Sequence, residues 1–379
     1  MSKRSIFEEV GAEGPAAKAT PTPGLIDRGQ DRGRGAVRIW LLILGLLVVA
    51  MITVGGLTRL TDSGLSITEW KPVTGALPPM SAEGWDSEFA KYQASPQYEH
   101  MNAGMTLGEF KSIYWWEWGH RQLGRVMGLV WAAGFVFFLA TKRMPPGIAR
   151  RAAILGVLGG LQGAIGWWMV SSGLVGTMVS VASYRLAVHL GIAFAILGLI
   201  AWTMLLLSRP AHALMQARRG KEPKLFSMAT GLMHFAMLQI LLGALVAGID
   251  AGRTFTDWPL MAGGIFPLDM WGLDPFWTNF FENPGTVQFF HRVSGYLLVI
   301  FGLVVWRRSR RSGNGATRAA FSIAAGLLLW QMVLGIMTVL HAAPLPLAIA
   351  HQFTAILLWI AIIRARFLAQ YPVAQSVRG

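Results

Sequence analysis

Long apolar runs separated by short polar stretches dominate this chain, at about 37–57, 119–140, 150–172, 184–207, 226–249, 287–306, 319–341 and 346–367. Each is close to the roughly 20 residues a helix needs to cross a hydrocarbon core about 30 Å thick. In lipid every backbone N–H and C=O must be satisfied within the protein, and a helix does this segment by segment. The pattern therefore predicts an all-α integral membrane protein with eight transmembrane helices. Composition agrees, since only 14% of the 379 residues are charged, against about 25% in soluble domains.

Charge sets the orientation. The N-terminal segment and alternate loops (142–151, 209–224, 307–318), with the C-terminal segment, hold 24 of the 33 Lys and Arg residues. By the positive-inside rule both termini are then cytoplasmic. That one-sided distribution also accounts for the net charge of +14, so no nucleic acid is expected as a partner. The chain has no cysteine, which excludes disulfides, iron–sulfur ligation and thiol relays. Residues 1–36 read as a cytoplasmic tail, disordered around 14–24, with neither a secretory signal nor a transit peptide.

The chain repeats itself. Asp62-Ser63-Gly64 through Thr68-Glu69-Trp70 matches Asp250-Ala251-Gly252 through Thr256-Asp257-Trp258 at an offset of 188. Gln162 and Gly166 match Gln331 and Gly335 at an offset of 169. Offsets change between helices and persist around them, as expected of duplication with loop insertions. This gives two tandem four-helix bundles, 37–210 and 226–368, joined by a cytoplasmic linker at 211–225 and followed by a tail at 369–379. Four spans is an even number, so the bundles share one orientation and are expected to be related by pseudo-two-fold symmetry along the membrane normal.

Four histidines obey the same repeat. His120 and His291 each open the phrase His-Arg-x-x-Gly, while His189 and His351 lie near the start of the last helix of each half. All four helices begin on one side of the membrane, so the histidines share one depth. Two imidazoles on two helices, made twice, suit two haem irons. Gly124 and Gly295, one turn after His120 and His291, and Ala193 and Ala355 after the other pair, leave room for a flat macrocycle; they equally permit close helix packing. Arg121 and Arg292 are placed either to meet haem propionates or to snorkel at the interface. His100, His212, His234 and His341 do not repeat.

One substitution separates the halves. Glu117 stands three residues before His120, whereas Gln288 stands three before His291. A carboxylate at a haem edge can act as general acid or base, and an amide cannot; the alternative is a favourable charge near a helix N-terminus. The loop at about 58–117 is longer than its counterpart and rich in acidic residues, which leaves open whether it covers a site or is simply solvated.

The phrases Gly55-Gly56-Leu57-Thr58-Arg59-Leu60-Thr61-Asp62-Ser63-Gly64-Leu65-Ser66, Trp70-Lys71-Pro72 and Glu117-Trp118-Gly119-His120-Arg121 resemble the haem A synthase family, and the resemblance spans about 38–368. It implies an oxidoreductase that converts the ring methyl of haem O to the formyl group of haem A for terminal oxidases. It further implies that His291 and His351 hold a resident haem b, that His120 and His189 flank the substrate haem, and that Glu117 fills a functionally important carboxylate position. Some bacterial members carry loop cysteines; this chain is similar to the cysteine-free type of proteobacteria and mitochondria, which implies the bacterial inner membrane. A dihaem cytochrome b and a haem carrier are the competing readings. A haem O synthase, an electron acceptor and a second copy of the chain stay open as partners.

Overall fold

The computed structural model describes residues 33–374; the stretch at 14–24 lies outside them. Eight long helices are each apolar enough to span a membrane: α1 (Arg34–Leu60), α2 (Leu107–Ala140), α3 (Ile148–Ser172), α4 (Ser183–Leu206), α5 (Pro223–Gly248), α6 (Pro284–Ser309), α7 (Gly315–Leu340) and α8 (Leu345–Gln370). The chain is thus a multi-pass membrane protein. Helix α1 starts within the expected 1–36 tail, α5 within the linker at 211–225, and α8 runs past 368. The rest of that linker includes a short helix, Ala211–Arg219.

Helix α2 starts at Leu107, well before the apolar run at 119. The extension forms for local reasons. Thr106 and Glu109 close a capping box, which satisfies two otherwise orphaned backbone donors. Phe110 and Tyr114 pack with Ile67 and Tyr92 of the preceding loop. Hydropathy registers only the part solvated by lipid, so this projecting segment escapes it. The long loop before α2 is folded, with helices Ala82–Gln93 and Pro96–Met101 capped by Ser81 and Ser95. Its counterpart before α6 is shorter and is pinned by Asn279 and Asn283, whose amides donate to Leu273, Phe276 and Asp269 carbonyls. Both loops leave their helix through an aspartate in the left-handed region, Asp62 at φ 49° and Asp250 at φ 51°.

Within each half the helices touch in a ring, α1–α2–α3–α4 back to α1 and α5–α6–α7–α8 back to α5. The halves meet through α4–α5, α1–α8 and α4–α8. One apolar core runs through both, including Leu41, Leu44, Phe194, Ile200, Leu232, Phe321 and Ile362. Tryptophans join helices by donating to helix carbonyls, Trp40 to Val130 and Trp359 to Phe194. At the face bearing the chain ends, Arg209 donates to the carbonyls of Tyr371 and Pro372, and Asn314 to that of Val373. The opposite face carries the two large loops, over the start of α2, α4, α6 and α8. The histidines lie there.

Candidate functional site: two histidine pairs beneath the loops

His189, His291 and His351 fall at the seventh or eighth residue of α4, α6 and α8. His120 matches them once the extension of α2 is set aside, because residue 113 is the repeat equivalent of Pro284. Each imidazole is backed by a glycine on a neighbouring helix. A Cβ placed on Gly166 would lie 3.0 Å from His189, on Gly243 3.1 Å from His291, and on Gly335 3.0 Å from His351, in each case nearest to Cε1. Gly55 backs His120, but there the nearest atom is Nε2, at 3.1 Å. Three seats are alike and that of His120 is turned. His120 and His189 stand on two helices of the first ring, and His291 and His351 on two helices of the second.

Glutamines fix the backbone under three of the four. Gln162 Nε2 donates to the His189 carbonyl at 2.8 Å and Gln331 Nε2 to the His351 carbonyl at 2.9 Å. Gln239 Nε2 donates to the His291 carbonyl at 3.0 Å and also lies 3.0 Å from its Nδ1. The repeat equivalent of Gln239 is Met51, at an offset of 188, which cannot donate. His120 is again the exception. Sequence reasoning matched Gln162 with Gln331 and quoted Gly55 but did not see them as histidine partners, and it missed Gly243 and Gln239. A single polar residue in an apolar run, as Gln239 is between Phe235 and Gly248, was the available signal.

Glu117 is 3% exposed and turned toward the loop. Its Oε2 accepts from Ser66 Oγ and from the Ile67 backbone N–H, both at 2.8 Å. Its Oε1 accepts from Arg121 Nε at 3.1 Å and Nη2 at 2.6 Å. A carboxylate offers about four lone-pair sites, and all are filled. That is how a charge survives burial here, since each bond to an ionised group contributes about 1.5–3 kcal/mol against its desolvation. Gln288, also buried, donates to the Phe255 carbonyl at 3.1 Å and accepts from Arg292 at 3.3 Å.

Arg121 and Arg292 clamp the loops. Arg121 also donates to the carbonyls of Glu69 and Ile67 at 3.0 and 2.8 Å. Arg292 donates to Asp257 and Leu260 through Nη1, and to Phe255 through Nη2. Each guanidinium thus commits four of its five N–H donors within the protein; the Nε of Arg292 is buried without a partner. Holding a loop in this way is neither of the two roles the sequence offered for these arginines.

Over the first site, Lys91 bridges Glu69 and Glu88 at 2.7 Å each, and Lys71 meets Glu69 at 2.6 Å. Hydrogen bonds from Lys71 and Lys91 hold the Glu69 carboxyl below its ordinary range. Its repeat equivalent, Asp257, is lowered instead by the backbone N–H groups of Ala262 and Gly263. A cavity of about 310 Å³ between this loop and α2 is lined by Ile67, Leu77, Trp118, Arg121 and Arg125 among others. The other histidines stand apart from the pairs. His100 and His234 are exposed, and His341 Nδ1 lies 2.8 Å from the Met337 carbonyl at the end of α7. Among the described residues no cluster of three or more His, Asp or Glu side chains gathers to hold a bare metal ion.

Residues 38–363 match the family model described as cytochrome oxidase assembly protein. The chain is 65% identical to the haem A synthase of Dinoroseobacter shibae over 378 residues, covering 100% of this chain and 98% of that one. It is 62% identical to that of Ruegeria sp., covering 100% of both chains, and 60% identical to that of Paracoccus denitrificans, covering 100% and 99%. The histidine pairs, their glycine seats and the clamped loops all fall inside the matched span, and the chain belongs to the cytochrome oxidase assembly protein family.

Proposed function

We propose that this chain is a haem A synthase, an oxidoreductase that converts the ring methyl of haem O, through the alcohol, to the formyl group of haem A. The observation that carries this reading is a divergence in charge within a duplicated frame. Both halves keep the histidine pair and the arginine clamp, but only the first buries a carboxylate there.

The residues fit an iron porphyrin. Each half offers two neutral-type ligands from different helices, glycine in place of side chains beside both rings, and, at His189, a buried Nδ1 without a partner. His291 and His351 are assigned to a resident haem b, which supplies one-electron redox chemistry when bound. His120 and His189 are assigned to the iron of the substrate haem. The rigid, glutamine-fixed seat of His291 suits a permanent ligand, and the turned, glutamine-free seat of His120 suits one that binds and releases. Arg121 and Arg292 hold the loops over the sites and keep one donor each for a propionate.

Glu117 is assigned as the proton acceptor of the first site. Its four bonds must loosen for that, and Ser66 provides the means. The Ser66 hydroxyl also lies 3.4 Å from the Ile113 carbonyl; turning to it frees a lone pair on Oε2 while Ile67 and Arg121 keep the carboxylate in place.

The basic residues support termini on the cytoplasmic side of a bacterial inner membrane, with the two bundles related about an axis along the membrane normal. A reporter fused after Arg311 should read cytoplasmic, and one inserted near Glu88 external. Co-expression with a haem O producer, followed by chromatography of extracted pigment, tests the activity. Haem A is expected; two haem b molecules and no haem A would instead establish the dihaem cytochrome b reading.

A further inference from the structure

The loops that follow α1 and α5 fold back alongside the next helix, and they go deep. Arg125 donates to the carbonyls of Lys71 and Pro72, both at 2.9 Å, and Gln122 donates to that of Ala76. In the second half Trp258 Nε1 donates to Tyr296 Oη at 2.7 Å. Arg125 and Tyr296 are repeat equivalents, each twelve residues beyond the aligned helix start at 113 and 284. At 1.5 Å per residue that is about 18 Å down the helix. Helix α6, with 26 residues, is about 39 Å long, so the loops hang beside a stretch that lies within the roughly 30 Å hydrocarbon core.

The tips of both loops are apolar and bare. Leu77 is 76% exposed and its equivalent Ile265 71%; Met80 is 84% exposed and its equivalent Leu268 87%. The same surplus of exposed apolar side chain at the same two positions, made twice, is not the scatter of single surface leucines. These tips also continue the lipid-facing surface of the spans. Gln122 shares a helical face with Val126 and Leu129, which are exposed, and Phe289, in ring contact with Phe266 at 5.3 Å, shares one with the exposed Leu297 and Ile300. In the second half no Lys or Arg occurs between Arg253 and Arg292.

We propose that residues 71–80 and 259–268 are membrane-seated loops, whose partner is the lipid of the leaflet on the loop side. Non-helical backbone is tolerated at membrane depth only where its polar groups are satisfied by protein. The clamps do this. Arg125, Gln122 and Arg292 bind the carbonyls of Lys71, Pro72, Ala76, Asp257 and Leu260, and the charged heads that enter the interface are consumed in doing so. The loops thereby wall the lipid side of α2 and α6 next to the histidine pairs. Nothing in this depends on what those histidines bind.

The chain has no native cysteine, which makes the test direct. Single variants Leu77→Cys, Met80→Cys, Ile265→Cys and Leu268→Cys, with Glu83→Cys and Asp86→Cys on helix Ala82–Gln93 as controls, are placed in lipid nanodiscs, where both faces meet water. Fluorophores at the four loop positions should be quenched by lipids carrying a nitroxide on the acyl chain, and those at Glu83 and Asp86 should not. Labelling of the loop thiols by a water-soluble maleimide should be about tenfold slower than at the controls, because the reactive thiolate is disfavoured away from water. Unquenched loop labels that react as fast as the controls would place the loops in water and overturn the proposal. Slow labelling without lipid quenching would mean that protein covers them, which overturns it equally.

Discussion

The two halves use one frame to hold opposite electrostatic situations. Beneath the second loop, Phe255 turns its carbonyl inward, where Gln288 and Arg292 both donate to it. Beneath the first, the equivalent Ile67 turns its N–H toward Glu117, and its carbonyl goes to Arg121. One reversed peptide contact accompanies the exchange of amide for carboxylate. A second exchange, Met51 for Gln239, removes the donor under His120 and leaves its ring turned relative to the other three. Among the four histidine seats, divergence is thus confined to one. Under the proposed function, duplication supplied two equivalent histidine pairs, and a few polar changes suit one site to exchanging protons and ligand and the other to holding its ligand.

The largest expected effect comes from erasing that difference. Glu117→Gln brings an amide N–H or a neutral oxygen to a place arranged for a carboxylate, facing the Ile67 N–H. Turnover to haem A should fall about 10²–10⁴-fold, the usual magnitude of lost acid–base catalysis, with haem O or the alcohol accumulating on the purified variant. Gln288→Glu should yield no new activity, because it sets a carboxylate against the Phe255 carbonyl. Undiminished turnover in Glu117→Gln would return the carboxylate to a purely structural role.

Next come the glycine seats. Gly166→Ala and Gly335→Ala each push a Cβ to 3.0 Å of a histidine, tighter than normal van der Waals contact. Each should lower haem occupancy severalfold in its own half alone, read from optical spectra. Equal loss in both halves would argue for general misfolding.

A smaller effect is expected of Gln239→Met, which makes the second half copy the first. It removes the bond to the His291 carbonyl, about 1 kcal/mol, and should speed haem b loss about fivefold while leaving folding intact. No change in the off-rate would show that the glutamine does not stiffen this ligand.

The smallest concerns the loops' surface anchors. Hydrogen bonds from Lys71 and Lys91 depress the Glu69 carboxyl in the folded state, so its contribution is present above the unfolded carboxylate pKa and is lost as pH falls through the lower, folded one. Trp85 fluorescence should report loosening of the first loop in that range, and also in 1 M salt, where the Debye length shrinks to about 3 Å. Asp257 relies on backbone N–H groups, so salt should spare the second loop.

Much of this was legible beforehand because the signals are periodic. Eight spans, the repeat and the four histidines rest on hydropathy and spacing, which lipid solvation enforces. The α2 extension escaped because its stability comes from capping and from Phe110 and Tyr114 packing on the loop. The true bonding of Glu117 and Arg121 escaped for a related reason. Their partners, Ser66, Ile67 and Glu69, are about fifty residues away, and three of the contacts are to backbone, which carries no side-chain signature.

The division of labour between the halves is tested most directly by extracting and identifying haem from four variants, His120→Ala, His189→Ala, His291→Ala and His351→Ala, each purified from cells that make haem O. Removing one axial ligand leaves at best a five-coordinate iron. The second-half variants should lose most haem b, and the first-half variants should keep haem b while losing haem O and haem A. Full low-spin haem b in both His291→Ala and His351→Ala, or its loss from His120→Ala and His189→Ala, would contradict the assignment.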